Sequence, residues 1–231
     1  FERFGLDWRW QRTEYRELLA VAGGKERIRS YIDRLQLPRP ERERLRGMVR
    51  EIHQQKTRFY SSVVSDGGVP LRAGVRRLLE EALEGGYKLA IASTTTAANI
   101  DALLNATLGP RGLDIFTVIA CGDQVLHKKP APDIYLLALH GLGLQPQQAI
   151  AFEDSPNGLR AALAAGLWTV VTPNFWTEHN DFAGAGMLLP HLGDRDQPLP
   201  GEPGRRLSSA AWLTCEEVVQ HAMRAPVPMT H

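Results

Sequence analysis

Ala149-Ile-Ala-Phe-Glu-Asp-Ser-Pro-Asn-Gly158 puts two adjacent acids at the end of a short apolar run. The run is too short for a helix and is followed by a turn signal, so Ala149 to Phe152 reads as a buried strand. Gly158 to Ala165 then reads as a helix. The same unit recurs on both sides. Lys88 to Ala92 and Phe116 to Ala120 read as strands, followed by helices over Asn99–Leu108 and Asp133–Leu142. Thr169–Thr172 and the weaker Met187–Leu189 follow as strands. Strands alternating with helices predict an α/β domain with a parallel sheet covered on both faces. Ligands of such sheets sit beyond the carboxyl ends of the strands.

Three of those ends carry polar segments. Glu153-Asp154 is the first. Like charges side by side repel, more so near an apolar core, and a hard divalent cation would remove the cost. The other reading is that Asp154 or Ser155 only caps the next helix. Ser93-Thr94-Thr95-Thr96 is the second: hydroxyls and backbone N–H groups suited to a phosphate oxygen, or to capping a helix. Lys128-Lys129-Pro130-Ala131-Pro132-Asp133 is the third. Its prolines hold Lys129 extended at a helix entrance, where it can neutralise a phosphoryl group or remain a surface lysine. His127 beside it has no evident partner and reads as a surface residue.

Before residue 65 the pattern is helical only. Tyr15, Leu18, Leu19 and Ala22 mark one helix, ended by Gly23-Gly24; Ile28 to Leu35 mark a second; Leu45 to Val64 mark a third, entered near Glu41. Ser65-Asp66-Gly67-Gly68 is a turn cluster and a boundary. The expected organisation is a helical cap, 1–66, and an α/β core, 69–231. Leu71 to Leu83 form a helical stripe in the core, and Thr214 with Glu217 opens a last helix as a capping box.

The bulk numbers exclude more than they assign. A formal net charge of +1 supplies no field for nucleic acid or an anionic membrane. No apolar run reaches the length of a membrane span, and Phe1 to Trp10 contains no apolar signal core. Two cysteines make no disulfide framework, so a reducing, cytoplasmic compartment is expected. A monomer is expected.

Taken together, a hydroxyl, a lysine before Pro-x-Pro-Asp and an acid pair at successive strand ends resemble the haloacid dehalogenase superfamily along essentially the whole chain. The likeness is nearest to its CbbY-type and β-phosphoglucomutase-type branch, through Val-Ala-Gly-Gly-Lys-Glu-Arg27, Ser93-Thr-Thr-Thr, Lys-Lys-Pro-Ala-Pro-Asp133 and Leu-Pro-His-Leu-Gly-Asp194. The resemblance implies a Rossmann-like core and a Mg²⁺-dependent phosphatase. The implied substrate is a small sugar phosphate, in the CbbY type xylulose-1,5-bisphosphate. Ser93 and Lys129 would be catalytic, with Thr94 and Thr95 beside the phosphate and Glu153 and Asp154 at the metal. Gly23, Gly24, Lys25, Lys56, Arg72 and Asn157 would contact or orient substrate.

The superfamily's Asp-x-Asp on a first core strand has no match. Asp194-Arg195-Asp196 lies late, between Gly- and Pro-rich segments. A strand, a loop and half a helix, about 15–25 residues, are expected ahead of Phe1. The chain alone is therefore expected to be inactive, with neighbouring strands short of a partner. A mutase of the β-phosphoglucomutase type, a phosphoglycolate-type phosphatase and a non-catalytic receiver-like module remain as alternatives.

Overall fold

A computed structural model of the chain describes residues 1–201, 207 and 211–224. The last part of the expected core, 225–231, lies outside the described residues. Helices α1 (Arg12–Leu18), α2 (Gly24–Arg34) and α3 (Arg39–Ser65) come first. There follow α4 (Val75–Glu84), β1 (Ala90–Ser93), α5 (Ala97–Leu108), β2 (Val118–Cys121) and α6 (Asp133–Leu142). Then come β3 (Ile150–Glu153), α7 (Pro156–Ala164), β4 (Trp168–Val171), β5 (Met187–Leu188) and α8 (Cys215–Arg224).

The expected elements all form, with shifted ends that have local causes. Gly23 adopts φ 88° and directly precedes α2, so the glycine pair opens the second helix; α1 has already ended at Leu18. Pro40 is accommodated in the first turn of α3, where a missing N–H costs nothing, so that helix starts at Arg39 rather than Glu41. Ser155 caps α7, its Oγ accepting from the Gly158 N–H at 3.1 Å. Thr214 and Glu217 cap α8 reciprocally: the Glu217 N–H donates to Thr214 Oγ1 and the Thr214 N–H to Glu217 Oε2, each at 3.2 Å.

Leu6, Ile28, Ile32, Leu45, Val49 and Ile52 form a core of their own among the first helices. A second core joins Ala120, Ile134, Ala138, Ala151, Ala161 and Ala162, and Ala90 and Ala92 of β1 pack against it. A third surrounds Leu78, Val170, Leu189, Leu213 and Val218. Among the described residues no helix is long and apolar enough to cross a membrane.

The sheet is parallel, as expected, but not continuous. It consists of two parallel ladders, β1–β2 and β3–β4–β5, with no pairing between β1 and β3. Ala92 pairs with Ala120 in one ladder and Phe152 with Val170 in the other. Yet the second core spans both ladders, so β1 and β3 face each other across a break within one layer. Burial fails at the break. No residue of β1 is fully buried, and Phe152, read as the buried end of a strand, is 44% exposed. An apolar strand is buried on both faces only when its flank is occupied too, and among the described residues each of these strands is paired along one edge only.

Candidate active site

The three polar segments converge at the break. Lys129 reaches across it: Nζ donates to the Ala92 carbonyl of β1 at 2.9 Å and to Glu153 Oε1 of β3 at 2.5 Å. Side-chain exposure of this pair is only 11% and 6%. The Tyr135 hydroxyl donates to the same Glu153 oxygen, and Lys129 Nζ lies 4.7 Å from the centre of the Tyr135 ring. Burial, followed by the Glu153 charge, pushes the Tyr135 phenol well above its ordinary range, so it stays a neutral donor. Gly158 packs directly against the Glu153 carboxylate. A Cβ there would stand 1.7 Å from Glu153 Oε2, so only glycine lets the helix start approach this carboxylate.

Strand alternation separates the acid pair. Glu153 ends β3 facing inward and is committed to Lys129; Asp154, one residue on, is exposed. Asn174 Nδ2 donates to Asp154 Oδ2 at 2.8 Å, and Thr177 Oγ1 donates to the Asp154 carbonyl at 2.6 Å. Among the described residues no other hydrogen bond reaches the Asp154 carboxylate, which leaves Oδ1 open. No group of three or more His, Cys, Asp or Glu side chains able to hold a metal occurs among them. A Mg²⁺ site, however, keeps several waters and takes one or two carboxylates plus substrate oxygens. Asp154 fits that donor role. Glu153, its oxygen held by an ammonium and a phenol, fits an anchoring role for Lys129.

At the end of β1, Ser93 Oγ accepts from the Thr95 N–H at 3.2 Å. Thr95 Oγ1 accepts from Asn99 Nδ2 at 2.8 Å. Thr96 precedes α5 without capping it, and its buried hydroxyl has no partner among the described residues. Gly122 crosses this turn closely: its N–H donates to the Thr95 carbonyl at 3.0 Å, and a Cβ would meet the Thr94 carbonyl at 2.3 Å.

The helical residues sit farther out. Lys25 follows Gly23 and Gly24 and reaches Asp123 of the core at 3.4 Å. His53 is buried beneath Gly24, whose Cβ would meet its ring at 2.6 Å. Burial, then Lys56 and Lys25, holds its pKa below the ordinary imidazole value. Lys56 lies 5.2 Å from the Tyr60 ring centre, its pKa lowered by desolvation and by Arg27. Asn157 Nδ2 donates to the Ala20 carbonyl between α1 and α2 at 2.8 Å, which ties the acid turn to the helical region rather than to Lys129. The Arg72 guanidinium is spent on the carbonyls of Thr172 (2.6 Å), Pro173 (2.7 Å) and Pro190 (2.9 Å) and on Thr172 Oγ1 (3.0 Å). It braces the strand ends along a cleft of about 470 Å³ that Asn174 and Phe175 also line. His127, read as partnerless, pairs through Nδ1 with Asp133 at 3.0 Å and holds that carboxyl below its usual range.

Tyr135, Asn174 and Thr177 escaped the sequence reading. Tyr135 had a faint signal, a polar aromatic two residues into the helix that follows Pro-Ala-Pro-Asp. Asn174 and Thr177 had none beyond their place after a strand.

Residues 24–172 match the haloacid dehalogenase-like hydrolase family model. The plasmid-borne CbbY protein of Cupriavidus necator is 48% identical over 203 residues, 87% of this chain and 79% of that one. The crystal structure of CbbY from Rhodobacter sphaeroides in complex with xylulose-(1,5)bisphosphate superposes with a TM-score of 0.75 at 46% identity, covering 83% of each chain. A β-phosphoglucomutase of Clostridium difficile, 21% identical over 81% of this chain and 78% of that one, shares the fold at a TM-score of 0.55. With the lysine, the hydroxyl turn and the acid turn gathered at strand ends of a parallel α/β layer, the chain belongs to the haloacid dehalogenase-like hydrolase family.

Proposed function

We propose that this chain forms most of a Mg²⁺-dependent phosphatase for a small sugar phosphate, with a pentulose bisphosphate such as xylulose-1,5-bisphosphate as substrate. The observation that carries the reading is Lys129, seated between the end of β1 and Glu153 of β3. A lysine fixed by a buried carboxylate and a phenol is a preorganised positive charge, which is what phosphoryl transfer needs most. Ser93 and the N–H groups of its turn would receive phosphoryl oxygens beside it. Asp154 would hold Mg²⁺, which, when bound, neutralises charge on the transferring group. Helices α1–α3 would act as a cap, with Lys25 and Lys56 toward the sugar or a second phosphate. A cytoplasmic monomer belongs to the same reading.

The break between β1 and β3 supports a further part of it. Two open strand edges in one layer would accept one additional parallel strand. Such a strand would end beside Lys129, where an aspartate could attack phosphorus and a second aspartate could pass protons. The mutase alternative differs only in what takes the phosphoryl group from that aspartate. The test is direct: assay the chain extended by a strand ending in Asp-x-Asp, and this chain alone, for phosphate release from xylulose-1,5-bisphosphate with Mg²⁺. Turnover by the extended protein only is expected. Equal turnover by the chain alone would remove the aspartyl-phosphate reading.

A further inference from the structure

The turn that carries Asp154 is linked to the helical region by a path no sequence motif marks. From core to helices it runs through one loop. Asn174 Nδ2 donates to Asp154 Oδ2 at 2.8 Å, and Asn174 Oδ1 accepts from the Trp176 N–H at 2.8 Å. Buried Thr177 closes the loop, its Oγ1 accepting from the Asn174 N–H at 3.0 Å while donating to the Asp154 carbonyl at 2.6 Å. The Trp176 ring then meets Tyr15 of α1 edge-on, at 5.2 Å between centres. Beside it, the guanidinium groups of Arg12 and Arg16 lie 6.0 and 5.8 Å from the centre of the exposed Phe175 ring. Arg72 fixes the base of the loop through the Thr172 and Pro173 carbonyls.

We propose that the loop Asn174–Thr177 couples docking of the helical region to the orientation of the Asp154 carboxylate, with Asn174 as the positioning residue and Trp176 as the contact. Asp154 is exposed and has no other hydrogen-bond donor on its carboxylate among the described residues, so its rotamer follows Asn174. The Asn174 amide is oriented in turn by the Trp176 N–H, and Trp176 is seated by Tyr15. When the helices lift away, Trp176 loses Tyr15 and keeps only its neighbour Phe175 as a ring partner, the loop slackens and Asp154 is freed to turn out of register with Lys129. Docked helices and an oriented Asp154 are thus a single state, which would restrict chemistry to the closed, water-poor form. The inference rests on the reading of Asp154 as a site carboxylate.

Two readouts separate this coupling from the function it serves. The first is the side-chain amide of Asn174 by NMR in this 231-residue chain, assigned with Asn174→Ala. Tyr15→Ala, which touches neither Asn174 nor Asp154, is expected to move both amide protons toward their solvent-exposed positions; Tyr15→Phe, which keeps the ring, is expected not to. Should Tyr15→Ala unfold the chain, Tyr15→Leu replaces it. An unchanged Asn174 amide in a folded variant overturns the proposal. The second is a double-mutant cycle in the intact, active enzyme. Tyr15→Ala and Asn174→Ala are each expected to lower kcat about tenfold, the worth of one good hydrogen bond, and the double variant no further than about tenfold. A hundredfold loss in the double variant also overturns it. If the intact enzyme releases no phosphate from sugar phosphates, the phosphatase reading fails while the NMR result still decides the coupling.

Discussion

Two lysines meet carboxylates in this molecule, and they differ in nearly every physical respect. Lys129 and Glu153 are buried, 2.5 Å apart, with the Tyr135 phenol donating to Glu153 and the Ala92 carbonyl accepting from Lys129. Lys25 and Asp123 are 3.4 Å apart at side-chain exposures of 34% and 58%, with no shared partner. The first pair lies within the core layer; the second spans from the helical region to the core. A buried pair resists loss because removing one member strands the other, whereas an exposed pair exchanges readily with water and salt. The molecule places its rigid charge at the proposed phosphoryl site and its exchangeable charge at the proposed closure.

The largest effect should come from breaking the buried pair. Lys129→Ala leaves the buried Glu153 with the Tyr135 hydroxyl and the Asp154 N–H but no counter-charge, and is expected to cost about 3–5 kcal/mol in a denaturant titration, besides abolishing turnover of the intact enzyme. A loss under about 1 kcal/mol would mean that the pair is hydrated and the contrast false. Next comes Gly158→Ala. Its methyl would occupy the space of Glu153 Oε2, so the carboxylate must swing or α7 must shift. The expected cost is about 1–3 kcal/mol, and because the swing displaces Lys129, kcat should fall more than KM rises.

The contrast also shows what was legible in sequence. Helix α6 is found at the expected Asp133–Leu142, since its period, its Pro-Asp entrance and its Gly143 exit are all local signals. The hydroxyl, the lysine and the acid turn were equally local, and the structure gathers them. The break between β1 and β3 was not visible as burial. Apolar strands look alike whether or not a neighbour fills their flank, and the expectation of strands short of a partner rests on the unmatched Asp-x-Asp alone. The split of the acid pair was open to strand alternation, but the register of β3 was set one residue early, which put both carboxylates beyond the strand. Asn174 lies 20 residues from Asp154, and no spacing rule links positions joined only by a loop folding back.

A smaller effect concerns pH and the helical region. His53 is buried with Lys56 and Lys25 nearby, and its pKa is depressed, although Asp123 and Glu26 pull the other way. The unfolded chain therefore binds this proton at higher pH than the folded one. Stability should be full above the ordinary imidazole value of about 6.5 and decline as pH falls through and below it. In His53→Gln that part of the acid slope should vanish in stability curves measured from about pH 7 to 5. A slope identical to the parent's would show that the ring is solvated in solution.

The smallest effect, and the sharpest test of the contrast, belongs to the exposed pair. Lys25→Met is expected to change stability by less than about 1 kcal/mol, with even that difference fading as salt is raised. In the intact enzyme the same substitution should raise KM for a bisphosphate more than for a monophosphate, because a second phosphate would take the place of Asp123 as the partner of Lys25. Asp123→Asn should do the opposite and lower KM for the bisphosphate, since it removes the carboxylate that competes for the ammonium. Buried charges do not behave in this way: Glu153→Gln cannot improve binding at Lys129, because there the carboxylate is foundation and not competitor. If Asp123→Asn and Lys25→Met shift KM in the same direction, Lys25 is no phosphate ligand, and the two pairs differ only in exposure.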